Sequence, residues 1–156
     1  MAARQRNFLG LVSEQCIYSL ADRTPELEVL PAAKHFGLGV VPWSPLGGGM
    51  LAGILAKGDE GRRKLDWAQA KLAKNRERVA KYEAFCREIG KAPADVALAW
   101  VLSNPIITSP IIGPRTLDHL KRSVALLDVH LDEATMKQLD EIWPGPGGTA
   151  PEAYSW

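Results

Sequence analysis

The chain of 156 residues is poor in cysteine and in net charge, and it contains no long apolar segment. Its two cysteines, Cys16 and Cys86, exclude the disulfide-dense scaffolds of small secreted domains and predict two reduced, buried thiols. A formal net charge of +1 disfavours a surface dedicated to nucleic acid or to membrane. No run approaches the roughly 20 apolar residues of a membrane span, and residues 1–7 lack the apolar core of a signal peptide. We therefore expect a cytoplasmic protein without nucleic-acid or membrane partners.

The composition is instead that of an ordinary globular domain, with 46% hydrophobic and 24% charged residues. A chain of this length can bury a core of its own. We therefore expect one domain over residues 1–156, which ends in a Pro- and Gly-rich tail over residues 143–156.

Apolar runs alternate with helix signals along the chain. Strands are predicted over residues 8–20, 38–43 and 106–112, and the first is apolar enough to be covered on both faces. Helices are predicted over five segments: 24–37, 76–90, 93–102, 117–127 and 132–142. This alternation predicts an α/β protein with about three parallel strand–helix units.

Several helix details follow from single residues. Pro31 lies inside the first helix, so either its first turn is separate or the helix is kinked there. Thr116 and Asp132 are predicted to cap the last two helices. The apolar stripe of the 117–127 helix is predicted to face inward; its members are Leu117, Leu120, Val124 and Leu127. The charged run 57–81 is typical of a solvated helix face or loop, rather than of a binding patch.

The strongest local signal is an apolar run that opens into a glycine-rich loop at residues 40–50. Because glycine has no Cβ, such a loop brings backbone N–H groups close to a ligand. A second run of this kind, residues 106–116, leads into an amphipathic helix. Two strands that each lead through such a loop favour a phosphate-bearing ligand at the carboxyl ends of parallel strands. Taken alone, the glycine loop is explained equally well as a tight connection.

Four segments in order resemble the carboxy-terminal half of an aldo-keto reductase: residues 12–20 (VSEQCIYSL), 39–47 (GVVPWSPLG), 97–102 (ALAWVL) and 109–116 (SPIIGPRT). The resemblance implies a partial (β/α)8 TIM barrel, made of about the last three strand–helix units, a C-terminal helix and a tail. Members of that family are oxidoreductases that use NADPH, without a metal, to reduce aldehydes and ketones to alcohols.

The resemblance also implies that ten residues bind NADP(H). Gln15 matches the glutamine that hydrogen-bonds the nicotinamide carboxamide, and Trp43 matches the aromatic residue that stacks on the nicotinamide ring. The loop after Trp43 contacts the pyrophosphate. The loop after the last strand holds the 2′-phosphate, which suits the planar guanidinium of Arg115. The members of these two loops are Ser44, Pro45, Leu46, Gly47, Gly113, Pro114 and Arg115. His119 lies one helical turn further on, at a position that in the family often helps to hold the same phosphate or the adenine.

The chain departs from the family at the adenine side and in the catalytic residues. A Glu and an Asn common near the adenine are Arg122 and Ser123 here, and an arginine common in the glycine loop is Gly48. The family's catalytic Asp, Tyr, Lys and His all precede the matching segments. Hydride transfer to a carbonyl needs a proton donor within hydrogen-bonding reach of the carbonyl oxygen. The chain alone is therefore predicted to be inactive as a reductase, with no catalytic residue of its own.

Three hypotheses follow. The chain is a truncated reductase whose activity, and whose small carbonyl substrate, belong to the complete barrel; or a non-catalytic nucleotide-binding or interaction module; or a gene fragment without function. Three strands taken from an eight-stranded barrel have two unpaired edges. We therefore expect self-association, pairing with a complementary half-barrel, or poor solubility.

Overall fold

Two short strands and six helices form the regular structure of residues 5–57 and 65–147, the part of the chain that the computed structural model describes. The strands are β1 (Ser13–Glu14) and β2 (Gly39–Val40). The helices are α1 (Val29–Phe36), α2 (Ile54–Lys57), α3 (Asp66–Glu88), α4 (Pro93–Leu102), α5 (Leu117–Ala125) and α6 (Glu133–Ile142). Single 3-10 turns lie at Thr24–Glu26, Gly47–Gly49 and Leu126–Asp128. Of these described helices, none is both long and apolar enough to cross a bilayer.

Three chain segments run parallel, with residues 39–43 in the middle. β1 pairs with β2 in a register that places Glu14 opposite Val40. On its other side, Val40 pairs in parallel with Ile107. Parallel neighbours need long connections, which α1 provides before β2, and α2 to α4 provide before the third segment. The predicted α/β class is confirmed.

The start of α1 decides between the two alternatives left open for Pro31. Thr24–Glu26 forms a separate turn, and α1 begins at Val29. Pro31 therefore lies in the first helical turn, where its missing N–H removes no intrahelical hydrogen bond. The helix ends at Gly37, whose φ of 66° suits a residue without a Cβ.

The caps predicted for the last two helices are confirmed. Thr116 Oγ1 accepts a hydrogen bond from the His119 N–H at 3.2 Å at the start of α5. Asp132 Oδ1 accepts one from the Thr135 N–H at 2.7 Å at the start of α6. Hydrogen bonding from the Thr135 side chain, and then from its backbone N–H, holds the pKa of Asp132 below its usual range. Each cap satisfies one of the free amides that a helix start leaves.

The core lies between the sheet and helices α3, α4 and α6. Residues 96–101 of α4 are all buried, as predicted for a helix that is apolar on every side. Tyr82 of α3 is fully buried, and its hydroxyl donates to Pro93 O at 2.5 Å. The rings of Tyr18 and Trp100 lie 5.3 Å apart. α4 therefore joins the sheet side of the core to the outer helix α3.

A charged cluster ties the turn after β1 to the end of α6. Arg23 Nη1 donates to Asp140 Oδ1 at 2.5 Å and to Trp143 O at 2.9 Å, while its Nε donates to Glu26 Oε1 at 2.8 Å. Trp143, at the start of the predicted tail, is buried at 2% exposure. The tail remains a prediction from residue 148 onward, because residues 148–156 lie outside the described ranges.

The inward direction predicted for the stripe of α5 is wrong. Its four members are between 42% and 65% exposed, and no residue of α5 is buried. The spacing of these residues gives the helix an apolar stripe, but the structure leaves the stripe largely exposed. These side chains are Leu117, Leu120, Val124 and Leu127, and we call them the α5 stripe.

The first predicted strand is also shorter and more open than expected. Only Ser13–Glu14 forms strand, with a further parallel bridge from Ile17 to Trp43. The apolar residues before it are between 61% and 95% exposed, so they are not covered on either face. These are Phe8, Leu9, Leu11 and Val12, and we call them the N-terminal apolar segment. Exposed apolar side chains therefore lie before the first of the three parallel segments and after the third.

The two thiols differ in burial. Cys86 is buried as predicted, and burial raises the pKa of its thiol to about 11. Cys16 is only partly buried, which corrects the prediction, and its pKa is raised by that burial and by the charge of Glu14. Both cysteines are free.

Adjacent leucines test the outward position of the α5 stripe. Leu126 is 6% exposed and Leu127 is 65% exposed. We expect Leu126→Ala to lower the free energy of unfolding by about 2–5 kcal/mol, and Leu127→Ala to change it by less than about 0.5 kcal/mol. Urea unfolding at low and at high protein concentration measures both. A loss at Leu127 as large as that at Leu126, independent of concentration, would contradict the exposed position.

Candidate functional site

The carboxyl ends of the three parallel segments lie at one edge of the sheet. Because parallel strands all point the same way, Gln15, Trp43 and the residues after Ile111 leave the sheet at this edge. The Trp43 N–H donates to Cys16 O at 2.9 Å, and the Ile111 N–H donates to Pro42 O at 2.7 Å. The predicted ligand residues lie in three stretches of chain, and all three stretches begin at this one edge of the sheet.

Gln15 and Trp43 occupy neighbouring strand ends, and both side chains are exposed. The bridge between Ile17 and Trp43 fixes their backbones relative to each other. The indole of Trp43 is 42% exposed, so one part of it is anchored and another is open to contact. An aromatic side chain in this state can stack on a flat ring, and an amide such as that of Gln15 can both donate and accept hydrogen bonds.

The loop after Trp43 is a tight turn built from left-handed residues. Gly47, Gly48 and Gly49 have φ values of 58°, 71° and 98°, which a residue with a Cβ seldom adopts. Ser44 has a φ of 60° without being glycine. Such a conformation costs of order 1 kcal/mol, and it is found most often where function requires it. Buried Met50 and Leu51 anchor the end of the turn in the core.

Most amides of this turn are used within it. The Gly47 N–H donates to Ser44 O at 2.8 Å, and the Gly49 and Leu51 N–H groups donate to Leu46 O at 3.0 and 3.1 Å. The N–H groups of Ser44, Leu46 and Gly48 make no hydrogen bond to a residue within the described ranges. The turn is therefore a preformed loop whose remaining anion donors are these three amides and the Ser44 hydroxyl.

The third strand end leads into an exposed segment. Gly113, Pro114, Arg115 and His119 are all exposed, and among the described residues Arg115 has no ion-pair partner. The cap of Thr116 holds the start of α5 directly behind Arg115. A guanidinium without a carboxylate partner at a helix start is available to a phosphate.

Arg122 and Ser123, which the sequence resemblance places at the adenine side, both make contacts within the protein. Arg122 Nη2 donates to Asp95 Oδ2 at 2.7 Å, which ties α5 to α4. The Ser123 hydroxyl donates to His119 O at 2.9 Å within α5. Lys91, Asp95 and Arg122 also border a cavity between α4 and α5, and none of the ten predicted ligand residues lines it.

The tyrosines of the described ranges are not arranged as proton donors. The Tyr18 hydroxyl donates to Glu26 Oε1 at 2.9 Å and accepts from Asn104 Nδ2 at 3.1 Å. Burial raises the pKa of both Tyr18 and Tyr82 above the usual range of a phenol. A catalytic tyrosine needs the opposite shift, which a nearby cation would cause. In these ranges, no three or more His, Cys, Asp or Glu side chains form a group that could hold a metal ion.

Sequence reasoning missed two residues in the first half of α3. Trp67 of α3 lies against Gly48, and Lys71 Nζ binds both carboxylate oxygens of Asp22, at 2.9 and 2.7 Å. Both lie in the run predicted to be a solvated face. The available signal was a single tryptophan in an otherwise polar stretch, which is unusual for a face that only meets water.

Comparison with known proteins matches nearly the whole chain to one family. The sequence model of the aldo/keto reductase family matches residues 1–144. An uncharacterized oxidoreductase, YrpG, of Bacillus subtilis (strain 168) is 49% identical over 154 residues, which are 99% of this chain and 47% of the relative.

Two more distant relatives have different names. A probable voltage-gated potassium channel subunit beta of Oryza sativa subsp. japonica is 33% identical over 138 residues, 81% of this chain and 42% of its own. The NADP(+) aldo-keto reductase yakc of Schizosaccharomyces pombe is 29% identical over 130 residues, 80% of this chain and 38% of its own. The chain spans less than half the length of each of these relatives.

Titration of the phenols tests the assignment of Tyr18 and Tyr82 as structural. Because burial favours the neutral phenol of both, we expect neither to ionise at pH 10, where an ordinary phenol is about half ionised. The measurement is absorbance at 295 nm in a Tyr154→Phe variant, which removes the third tyrosine. Their ionisation should begin only with alkaline unfolding, followed by circular dichroism. A phenol that titrates below about pH 9 in the folded chain would contradict the assignment.

Proposed function

Because this chain belongs to the aldo/keto reductase family, we propose that it is the cofactor-binding part of an NADPH-dependent oxidoreductase. The observation that carries the proposal is the common sheet edge shared by Gln15, Trp43 and the loops after Trp43 and Ile111. In open and closed parallel sheets alike, ligands bind at this edge. The (β/α)8 barrel is part of the proposal, with the three parallel segments as its last strands.

The residues present fit a nicotinamide dinucleotide. The half-exposed indole of Trp43 would face the nicotinamide ring, and the Gln15 amide would hold its carboxamide. The Ser44–Gly47 loop, with the Leu46 N–H, would bind the pyrophosphate, and Gly113, Pro114 and Arg115 would hold the 2′-phosphate, with His119 beside them. When bound, the cofactor supplies a hydride to a carbonyl carbon. This chain's own residues bind it, choose which ring face is presented and hold its phosphates.

We propose that the proton for the carbonyl oxygen comes from outside the described residues. Tyr18 and Tyr82 are buried, and their hydroxyls donate to Glu26 and Pro93. The proposed reaction, reduction of an aldehyde or ketone to an alcohol, therefore needs the complete barrel of the family. We propose that the N-terminal apolar segment and the α5 stripe are covered by the remaining strand–helix units, or by a second copy of the chain.

A non-catalytic nucleotide-binding or interaction module is the second candidate. Two observations favour it: the raised pKa of both described tyrosines, and a relative whose name is that of a potassium channel subunit. Both candidates bind the nicotinamide dinucleotide, but only the first takes part in the reduction of a carbonyl substrate.

A pair of arginine variants tests the proposed phosphate contact. Arg115 has no carboxylate partner in the described ranges, so we expect Arg115→Ala to weaken NADPH binding about tenfold, or about 1.4 kcal/mol. Binding of NADH, which lacks the 2′-phosphate, should change less than about threefold. Isothermal titration calorimetry measures both. Arg87→Ala, an exposed arginine at the end of α3, is the control. Equal losses for NADPH and NADH would contradict a contact to the 2′-phosphate.

Turnover separates the two candidate functions. The purified chain should oxidise no NADPH in the presence of an aldehyde, because the described part offers no activated proton donor. Mixing it with the separately expressed first half of a relative that carries Asp, Tyr, Lys and His should restore measurable oxidation of NADPH at 340 nm. Binding of both halves and NADPH without turnover would favour the interaction module. Turnover by the chain alone would contradict the assignment of the catalytic residues to another part of the barrel.

A further inference from the structure

Trp67 lies on the glycine turn in a way that depends on the missing side chain of Gly48. A Cβ built on Gly48 would lie 2.8 Å from Cη2 and 3.0 Å from Cζ3 of the indole, closer than real Cβ contacts. Gly48 also has a φ of 71°, so this position requires both the conformational freedom of glycine and its lack of a side chain. The far end of the six-membered ring therefore rests on the turn, and the indole N–H lies at the opposite end of the side chain.

The start of α3 is held in this place by a second contact. Lys71 lies one helical turn after Trp67, and residues four apart share a helix face. Its Nζ binds both oxygens of Asp22, and the Ser19 hydroxyl donates to Asp22 Oδ2 at 3.1 Å. The turn at Ser19 and Asp22 follows β1, so α3 is tied to the sheet edge that carries the candidate site.

Packing against the glycine turn leaves about half of the Trp67 side chain exposed. Trp67 is 53% exposed, although it contacts the turn. A large half-exposed aromatic, beside a preformed loop with free anion donors, is typical of a residue that also contacts a ligand. A purely structural contact to glycine would need only the edge of a smaller side chain.

We propose that Trp67 covers the Gly47–Gly49 turn and contacts the pyrophosphate half of a bound dinucleotide, which its indole shields from water. The inference rests on the proposed function and adds a ligand-contacting residue on α3. Shielding strengthens hydrogen bonds from the Leu46 amide and the Ser44 hydroxyl to phosphate oxygens, since the local dielectric is lower. The adenosine 2′-phosphate end, held by the segment of Arg115, lies beyond its reach in this proposal.

Two ligands separate this role from a merely structural one. NADPH contains the pyrophosphate, whereas adenosine 2′-monophosphate contains only the end assigned to Arg115. We expect Trp67→Ala to raise the Kd of the purified chain for NADPH about tenfold, and to leave that for adenosine 2′-monophosphate unchanged within about twofold. Trp67→Phe should stay within about threefold of the wild type for both. Lys74→Ala, an exposed position on α3, is the control.

A double-mutant cycle tests the contact itself. Gly48→Ala should weaken NADPH binding as Trp67→Ala does, because the added methyl displaces the indole. The double variant should bind like either single variant, since the two changes remove one contact. Gly37→Ala is the matched control for backbone strain, because Gly37 has a φ of 66° and open space around it.

The outcomes are distinct. Unchanged NADPH affinity in Trp67→Ala, or equal losses for both ligands, would overturn the role of Trp67 and leave the proposed function standing. Additive losses in the double-mutant cycle would also overturn it. A wild-type chain that binds neither ligand would overturn the proposed function, and the role of Trp67 with it.

Discussion

The central segment, residues 39–43, determines where every candidate ligand residue lies. Val40 is opposite Glu14 on one side, and on the other its carbonyl accepts the Thr108 N–H at 2.9 Å while its N–H donates to Thr108 Oγ1 at 3.1 Å. These bonds make three segments parallel, so their carboxyl ends share one edge. Gly39 lies in the same row, where a Cβ would be 3.2 Å from Thr108 Oγ1. Without this pairing, the glycine turn and the Arg115 segment would have no fixed relation.

The same sheet explains the exposed apolar surfaces. The central segment is hydrogen-bonded on both sides, whereas each of its two neighbours has one side without a strand partner. The N-terminal apolar segment lies before one of these neighbours, and the α5 stripe follows the other. Side chains with the pattern of a buried surface are therefore exposed, and the proposed function assigns their cover to further strand–helix units or to a second copy of the chain.

Features set by neighbouring residues were predictable from the sequence, and features set by distant ones were not. The caps at Thr116 and Asp132 were correct because each cap is a contact within one helical turn. The α/β order was correct because apolar period and turn residues are local. The direction of the α5 stripe was wrong because spacing gives a helix an apolar face without giving it a partner. The contact of Trp67 with Gly48 was missed because the two residues are distant in sequence and meet only through the path of α3.

The proposed function requires that the edge formed by the three strand ends binds a nicotinamide dinucleotide. The most direct measurement is a titration of the 15N-labelled chain with NADPH, followed by two-dimensional NMR of backbone amides and indole N–H groups. The shifted signals should cluster at Gln15, at residues 43–49, at residues 113–119 and at the indole of Trp43. Shifts centred instead on Lys91, Asp95 and the cavity between α4 and α5, with this edge unaffected, would contradict the proposed function.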